Sequence, residues 1–391
     1  MKKISLSVIA LFFQTLCLFA QSDSSAYKQR KLKVEEVNFV SSYYVQDGEN
    51  SAVTGGIGTE KLTNFGSVLE IKMVKKDKLG RTRNIVTEVG FDHYTSASSD
   101  KVDPSTISSA SSADGRFYPS VAYSSTNLKG NRTMGGVASF SIESDYQSYG
   151  LGLTMAKVSK DKSSELTVRL QAYFDIWDVL LPIELRSVYG SGYQRPRNSY
   201  NAMLTYSKIV NERLQYAVTI DPAYQEGLLA TKFQRVYFSD NTERAENLPD
   251  RRFKLPASIR AAYFLGDRTI LRSSYRFFID NWGVMAHTAN IELPVKITPL
   301  VSVSPFYRFY VQTAAAYFAP YKMRSATEEF YTSDYDLSSF NSHCFGAGLR
   351  FTPVKGIFGI KHFAMLELRY GHYLRSSGLF SDIISLNAKF R

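Results

Sequence analysis

The segment from Arg252 to Gln312 contains four consecutive runs in which apolar and polar residues alternate. In the second run, one face carries Leu271, Ser273, Tyr275, Phe277 and Ile279, and the other carries Arg272, Ser274, Arg276 and Asp280 together with Phe278. Successive side chains of a β-strand point to opposite faces, so each run is predicted to be a strand with one apolar side and one polar side. Gly266-Asp267, between the first two runs, is typical of a β-hairpin.

The length of the runs separates a soluble protein from a membrane protein. Strands of soluble sandwiches average about five or six residues, whereas a tilted strand that crosses a bilayer needs about nine to eleven. The runs here reach about ten residues or more, which favours the membrane class. The composition agrees, because 26 Tyr and 26 Phe accompany 21% charged residues and a mean hydropathy of −0.20. Such a mixture is typical of a barrel with a polar interior and aromatic girdles.

The same alternation continues along the chain from Val34 to the C-terminus. It predicts an all-β, transmembrane antiparallel β-barrel of about 16 strands, or 14 if the runs near Arg116 and Gln147 do not span the membrane. With both chain ends on the periplasmic side, the turns on that side are short and the long connections become extracellular loops. The long loops are predicted at Thr95 to Gly115, Trp177 to Arg197, Gln225 to Asp250 and Thr313 to Phe340.

The N-terminus predicts a secreted protein. Residues 1–20 combine Lys2 and Lys3 with an apolar run and resemble a signal peptide cleaved near Ala20-Gln21. An uncleaved anchor helix is the alternative, although the run of about 17 residues is short for a span. Residues 21–33 are then a periplasmic lead and residues 34–391 the barrel, in the outer membrane of a Gram-negative bacterium. Cys344 is the only cysteine left after cleavage, so no internal disulfide can form.

Charge and the last strand indicate partners. The formal net charge of +11 falls by two when residues 1–20 are removed. That excess suits contact with outer-membrane lipids and lipopolysaccharide phosphates, and no basic stripe with interleaved aromatics indicates nucleic acid. The chain ends in a strand with Phe390 next to last, and a terminal aromatic residue resembles the signal that the barrel-assembly machinery reads. No cofactor is predicted.

The inward face of the predicted barrel carries charges of both signs. They could form an eyelet that selects solutes by charge, or a salt-bridged, water-filled interior that only keeps polar groups satisfied. An excess of arginine would tilt any selectivity toward anions. The lumen-facing candidates are Arg169, Arg260, Arg272, Arg276, Arg308, Arg350, Arg369, Glu88, Asp92, Asp175, Asp280, Glu292 and Glu367.

Two kinds of chemistry are weighed against this interpretation. Lipid hydrolysis would use a Ser and a His near a strand end, such as Ser342 with His343, or His93, His287 or His372, but no G-x-S-x-G motif occurs. A calcium or recognition site could involve Asp100, Asp103 and Asp114, but their spacing matches no EF-hand, which favours a solvated loop. The sequence therefore predicts neither catalytic nor metal-binding residues.

Several segments resemble the domain of unknown function 3570 family of Gram-negative bacteria. They are LPDRRFKLPASIRAAYFLGDRTILRSSYRFFIDNWGVMAHT, VSPFYRFYVQTAA and YTSDYDLSSF in the C-terminal half, and SSASSADG and ESDYQSYG before it. The resemblance implies an outer-membrane β-barrel without an assigned activity. It also implies envelope lipoprotein or redox partners, since members often lie beside such proteins. No site residue can be transferred, because the family defines none.

Together these features predict a porin-like or export-related barrel that lets a solute or partner cross the outer membrane, with its long loops controlling access. The main alternative is a non-conducting barrel, plugged by its own loops, that anchors or assembles a cell-envelope complex. An outer-membrane lipid hydrolase is a third, weaker interpretation.

Overall fold

The computed structural model describes residues 31–95, 113–127, 129–190 and 192–391. The predicted signal peptide and its cleavage site lie outside these ranges, as do Asp100 and Asp103. The strands in chain order are β1 (Lys33–Asp47), β2 (Leu62–Lys76), β3 (Thr82–Thr95), β4 (Ala113–Thr126), β5 (Arg132–Ile142), β6 (Tyr146–Val158), β7 (Ser164–Val179), β8 (Tyr193–Ile209), β9 (Leu214–Ile220), β10 (Ala223–Gly227), β11 (Arg235–Tyr237), β12 (Glu243–Ala245), β13 (Arg251–Leu265), β14 (Thr269–Asp280), β15 (Met285–Glu292), β16 (Val295–Lys296), β17 (Val301–Gln312), β18 (Phe340–Phe351), β19 (Phe363–Arg375) and β20 (Phe380–Phe390).

Helical structure is limited to short segments. They are 3-10 turns at Ala52–Thr54, Ile183–Leu185, Tyr335–Leu337 and Ile357–Gly359, and the one-turn helix α1 at Arg186–Tyr189. Across the described ranges, no helix has the length and hydrophobicity needed to cross a membrane.

The main sheet closes on itself as an antiparallel barrel. The first strand pairs with the last, so that Phe39 lies opposite Ala388 and Tyr43 opposite Ile384. Eighteen strands belong to this sheet. Because β9 with β10, and β15 with β16, each fill one place in the wall, the barrel has sixteen wall positions and the prediction of sixteen strands is confirmed. The strands β4 and β6 span the full wall, which excludes the fourteen-strand alternative.

Both interruptions in the wall contain proline. Pro222 separates β9 from β10, and Pro294 separates β15 from β16. Proline has no backbone N–H, so neither Pro222 nor Pro294 can donate a hydrogen bond to a neighbouring strand. The backbone carbonyls still accept hydrogen bonds, with Ala202 N donating to Pro222 O at 3.0 Å and Ile270 N donating to Pro294 O at 3.0 Å. The wall therefore stays continuous at both places.

The outer face of the barrel is apolar and exposed. Along β6, Tyr149, Leu151, Leu153 and Met155 project from one side and are all exposed, and the same parity of exposed apolar residues recurs around the wall. In water such a surface would be unfavourable, because removing apolar surface from water lowers the free energy and these side chains would remain exposed to it. A belt of this kind is typical of a barrel surrounded by lipid.

The two rims of the barrel differ. One rim, called the short-turn rim here, contains the start of β1, the end of β20 and the described connections at 77–81, 129–131, 159–163, 210–213, 266–268, 297–300 and 352–362. The opposite long-loop rim contains the described connections at 48–61, 143–145, 180–190, 228–250, 281–284, 313–339 and 376–379. This is the asymmetry that the sequence predicted.

Some loop bounds differ from the prediction. Strands β7 and β8 extend to Val179 and from Tyr193, so they take up much of the loop predicted at Trp177 to Arg197. The loop after β10 contains a small hairpin, β11 with β12, whose register places Val236 opposite Arg244. The alternating pattern at the ends of β7 and β8 and in β11 and β12 covers too few residues to distinguish a strand from a loop in the sequence.

Candidate functional site in the barrel interior and the loops above it

The predicted charged residues lie on the face opposite the exposed apolar belt. In β14, Tyr275 and Ile279 are exposed on the outer face, which places Arg272 and Arg276 on the other face. An ion pair locates that face directly, because Arg369 Nη1 lies 3.0 Å from Glu292 Oε1. Their strands, β19 and β15, are separated in the wall by β17 and β18. Side chains of such strands can meet only across the concave side of the barrel.

Five of the predicted residues form an alternating chain of charges. Arg272 lies 3.7 Å from Glu292, which contacts Arg369; Arg369 lies 3.2 Å from Glu367. Glu367 in turn accepts a hydrogen bond of 2.8 Å from Arg350 Nε. The arginines are between a third and a half exposed, so each contact contributes little to stability, about 1 kcal/mol or less. These ion pairs mainly fix the positions of the charged side chains.

Two further ion pairs lie nearer the long-loop rim. Arg197 Nε donates to Asp175 Oδ2 at 2.9 Å, and Arg252 Nε donates to Asp280 Oδ2 at 2.8 Å. Both carboxylates are buried. The guanidinium of Arg252 also lies over the ring of Trp282, 4.2 Å from its centroid. Arg197 was missed by the sequence reasoning because it fell at the end of a predicted loop.

Four predicted arginines have no such partner. Among the residues that the structure describes, Arg169, Arg260, Arg276 and Arg308 make no ion pair, and all four are exposed. Arg260 and Arg308 lie in one register row, through Ser274 and Asn290 on the strands between them. Arg276 is two residues along β14 from that row. Three unpaired guanidinium groups are thus gathered on one side of the interior.

The remaining candidates are acidic. Glu88 lies opposite Glu70 in the register of β2 and β3, and Asp92 accepts a hydrogen bond of 3.3 Å from the Tyr118 hydroxyl. Glu88 also lines two cavities, one of about 430 Å³ with Arg116, Asp175 and Arg197, and one of about 360 Å³ with Arg350, Glu367 and Lys389. The inner wall therefore encloses space lined by both signs of charge.

The long loops fold together into a compact unit, called the loop cap here, which comprises residues 48–61, 180–190, 228–250 and 313–339. Phe238 is 0% exposed and packs edge-on against Tyr331, with ring centroids 4.9 Å apart. The two loops also exchange backbone hydrogen bonds between Asn247 and Tyr331, at 3.1 and 2.7 Å. Segments about eighty residues apart in the sequence are thus joined by an antiparallel β-bridge.

A buried arginine ties three loops of the cap together. Arg235, 2% exposed, donates from Nε to Glu184 Oε1 at 2.6 Å and from Nη1 to the Val53 carbonyl at 3.0 Å. The guanidinium holds the pKa of Glu184 down to about 2 through this hydrogen bond. A buried charge is tolerated only when it is paired in this way.

The cap is also fastened to the inner wall. Gln312, at the end of β17, donates to the Asp336 and Ser338 carbonyls at 3.0 and 2.6 Å. Arg375, at the end of β19, contacts Asp336 Oδ1 at 2.6 Å. Since Gln312 and Arg375 belong to the inward face, residues 335–338 lie against the inner wall at the long-loop rim.

The cap contains a carboxyl group with an unusual environment. Glu246 is buried, accepts a hydrogen bond of 2.6 Å from Thr231 N, and lies near Asp334 and Lys232. Burial, followed by repulsion from Asp334, raises the pKa of Glu246 to about 8. Burial and the neighbouring Asp336 likewise raise the pKa of Asp334 to about 6. Both groups therefore change charge near neutral pH.

The residues proposed for hydrolysis do not assemble. Ser342 and His343 are consecutive in β18 and project to opposite faces, so they cannot act on one another. His343 instead bonds the Tyr307 hydroxyl at 2.8 Å, His287 bonds the Tyr275 hydroxyl at 2.6 Å, and His372 bonds Asp382 at 2.8 Å. His93 lies opposite Phe65 and Gly115 in the wall. These contacts are typical of histidine side chains near a membrane interface, and none of them pairs a histidine with a serine.

Comparison with known proteins identifies a family and several similar folds. The sequence matches the family described as protein of unknown function (DUF3570) over residues 9–357. No curated protein matches the chain. Among solved structures, OccAB1 of Acinetobacter baumannii is 8% identical, with a TM-score of 0.42 over 94% of this chain and 99% of that one. OccD3 of Pseudomonas aeruginosa is 8% identical, with a TM-score of 0.44 over 95% and 97%. Because the family match covers most of the chain, the protein belongs to the DUF3570 family.

Proposed function

We propose that the protein is an outer-membrane channel of a Gram-negative bacterium, through which a small hydrophilic, preferably anionic solute passes. The observation that carries this proposal is the exposure of Arg169, Arg260, Arg276 and Arg308 on the inward face of a closed barrel. An unpaired guanidinium group cannot be buried without a large cost, so its surroundings must be wet. The apolar outer belt supports the membrane location.

The arrangement of charge supports anion preference. In the paired chain, Arg272, Arg350 and Arg369 outnumber Glu292 and Glu367. The three unpaired groups Arg260, Arg276 and Arg308 add positive charge on the same side of the interior. Rings or patches of arginine in a narrow passage attract anions and repel cations. The lumen-facing assignment made from the sequence is part of this proposal.

The selectivity is tested by reversal potentials in a planar bilayer under a KCl gradient. The variant Arg260→Ala/Arg276→Ala/Arg308→Ala is expected to lose most of the anion preference while still conducting. The matched control, Arg213→Ala/Arg268→Ala/Lys355→Ala, removes the same charge from exposed turns of the short-turn rim. Equal reversal potentials for the two triple variants would contradict the proposal.

The loop cap supports a second candidate. Its packed centre around Phe238 and its bonds to Gln312 and Arg375 favour a barrel that is closed at rest. In that case the barrel would anchor or assemble a cell-envelope complex, with barrel-assembly machinery, lipopolysaccharide and envelope lipoprotein or redox proteins as proposed partners. A barrel that remains silent after the cap is shortened would favour this candidate over a channel.

A further inference from the structure

Three carboxylates converge at the long-loop rim, on the side of the barrel away from the arginine patch. Asp114 stands at the start of β4, and Glu143 and Asp145 belong to the connection between β5 and β6. One oxygen from each side chain lies within 4.8 Å of the other two. Neither the proposed channel nor the cap uses this group.

One oxygen of the cluster lacks a partner. Asp114 is 4% exposed, and its Oδ1 accepts hydrogen bonds of 2.7 Å from both Gly115 N and Ser144 Oγ. Its second oxygen, Oδ2, is buried and, within the described part of the chain, accepts none. A buried carboxylate oxygen without a partner costs free energy, so such oxygens are almost always satisfied by a donor, a water or an ion.

The positive charge nearby does not balance the cluster. Arg116 Nε lies 3.5 Å from Glu143 Oε1, but its hydrogen bond of 2.8 Å goes to Ser141 Oγ. The Tyr94 hydroxyl donates to Glu143 Oε2 without bringing charge. Burial, with repulsion from Asp114, Glu143 and Asp178, raises the pKa of Asp145 to about 6. The three acids are therefore held together against their mutual repulsion.

The donor set defines the ligand that would relieve this repulsion. All the donors are carboxylate oxygens, which hard cations such as Ca²⁺ and Mg²⁺ prefer, and no thiolate or imidazole belongs to the group. Two oxygens bound to one Ca²⁺ at about 2.4 Å lie at most about 4.8 Å apart, so three oxygens that all lie within 4.8 Å of one another can share one ion. Magnesium demands a stricter, smaller octahedron, which three side chains on a connection and a strand end fit less well.

We propose that Asp114, Glu143 and Asp145 bind a divalent cation, with Ca²⁺ preferred over Mg²⁺, which fastens the β5–β6 connection to the start of β4. In the sequence, the acids that suggest a site with Asp114 are its near neighbours Asp100 and Asp103. The actual partners follow some thirty residues later in the chain, where no spacing motif could connect them.

The test uses full-length protein refolded from denaturant, so that no lipopolysaccharide carries calcium, and treated with a chelator. Calorimetric titration with CaCl₂ is expected to give one saturable site, a rise in the unfolding temperature, and weaker binding of MgCl₂. The variant Asp114→Asn/Asp145→Asn should bind Ca²⁺ at least tenfold more weakly. The control Asp240→Asn removes an exposed acid of the cap and should bind as the wild type does. Absence of saturable binding to the wild type, or unchanged binding to the double variant, would overturn the proposal.

A second measurement leaves the acids intact and locates the ion. Tyr94 and Trp177 line the same cavity as Asp145, so excitation of their rings should sensitise luminescence of Tb³⁺ bound in place of Ca²⁺. Calcium should displace the signal. In Trp177→Phe the signal excited through tryptophan should fall several-fold while calorimetric Ca²⁺ binding persists. An undiminished signal in that variant would place the ion elsewhere and reject the site.

Discussion

Arg369 and Glu292 meet at 3.0 Å although two strands lie between theirs in the barrel wall. The contact joins two further ion pairs into one series, because Glu292 also contacts Arg272 and Arg369 also contacts Glu367. Because the two strands are not neighbours, the pair lies on the concave side of the barrel and its charges face the interior. Removing one partner should change ion selectivity without unfolding the wall.

Glu292→Gln removes one negative charge from these contacts, frees Arg272 and leaves Arg369 paired with Glu367 only. We expect a higher preference for anions and little change in unfolding temperature, because these arginines are partly exposed and their pairs are worth about 1 kcal/mol or less. Reversal potentials measure the first effect and thermal unfolding in detergent the second. Glu212→Gln, in an exposed turn of the short-turn rim, is the control and should leave selectivity unchanged. A shift toward cations in Glu292→Gln would refute the assignment.

The outer belt makes a prediction about the two sides of a single strand. Leu170 and Gln171 are adjacent near the middle of β7, and Leu170 is 49% exposed on the outer face. Leu170→Arg should reduce folding into lipid vesicles, since an arginine facing lipid at mid-membrane costs about 2–4 kcal/mol. Gln171→Arg should fold nearly normally because its side chain enters the aqueous interior. Equal folding yields for the two variants would mean that the wall has no lipid-facing side.

The packed centre of the cap predicts that one side chain controls its closure. Phe238→Ala removes a fully buried ring and should destabilise the cap by about 3–5 kcal/mol. The barrel should keep its unfolding temperature, while residues 228–250 and 313–339 become sensitive to protease and conductance rises. Phe358→Ala provides a control with the same change of residue, because Phe358 is 86% exposed on the short-turn rim. Unchanged proteolysis of Phe238→Ala would show that the cap is held by its polar contacts alone.

Glu246 predicts a dependence of the cap on pH. Its pKa is raised from 4.5 to about 8, so the folded cap binds this proton more tightly than an opened cap does. Protonation of Glu246 stabilises the folded cap fully below about pH 4.5, and this stabilisation is lost as the pH rises toward 8. Protease sensitivity and conductance should therefore increase between these values, and Asp334, whose pKa is also raised, acts in the same direction.

Glu246→Gln has nearly the same shape as protonated Glu246 but cannot titrate. It should remove most of the pH dependence of protease sensitivity and conductance. Thr231, Lys232 and Asp334 surround the same position and stay in place. The control Glu212→Gln should titrate like the wild type. A pH response that persists fully in Glu246→Gln would assign the effect to another group.

The wall could be predicted from sequence because its determinants are local. Alternation alone places Arg272 and Arg276 on the face opposite Tyr275, and the structure makes this segment the strand β14. Arg197 was missed because the start of β8 was interpreted as a loop, and the residues from Tyr193 to Arg197 show no alternation of apolar and polar side chains. The packing of Phe238 on Tyr331 had no local signal, since two loops far apart in the chain create it. The same reason hid the approach of Glu143 and Asp145 to Asp114.

The most direct test of the central claim is single-channel conductance of the refolded full-length protein beside a variant with a shortened cap. Gln312 and Phe340 are paired across β17 and β18, so a short Gly-Ser linker can replace residues 313–339 without straining the wall. A water-filled channel predicts steady, anion-preferring conductance once the cap is shortened, and conductance in the intact protein whenever its cap opens. Silence of both proteins, with the barrel shown to be folded, would contradict a channel.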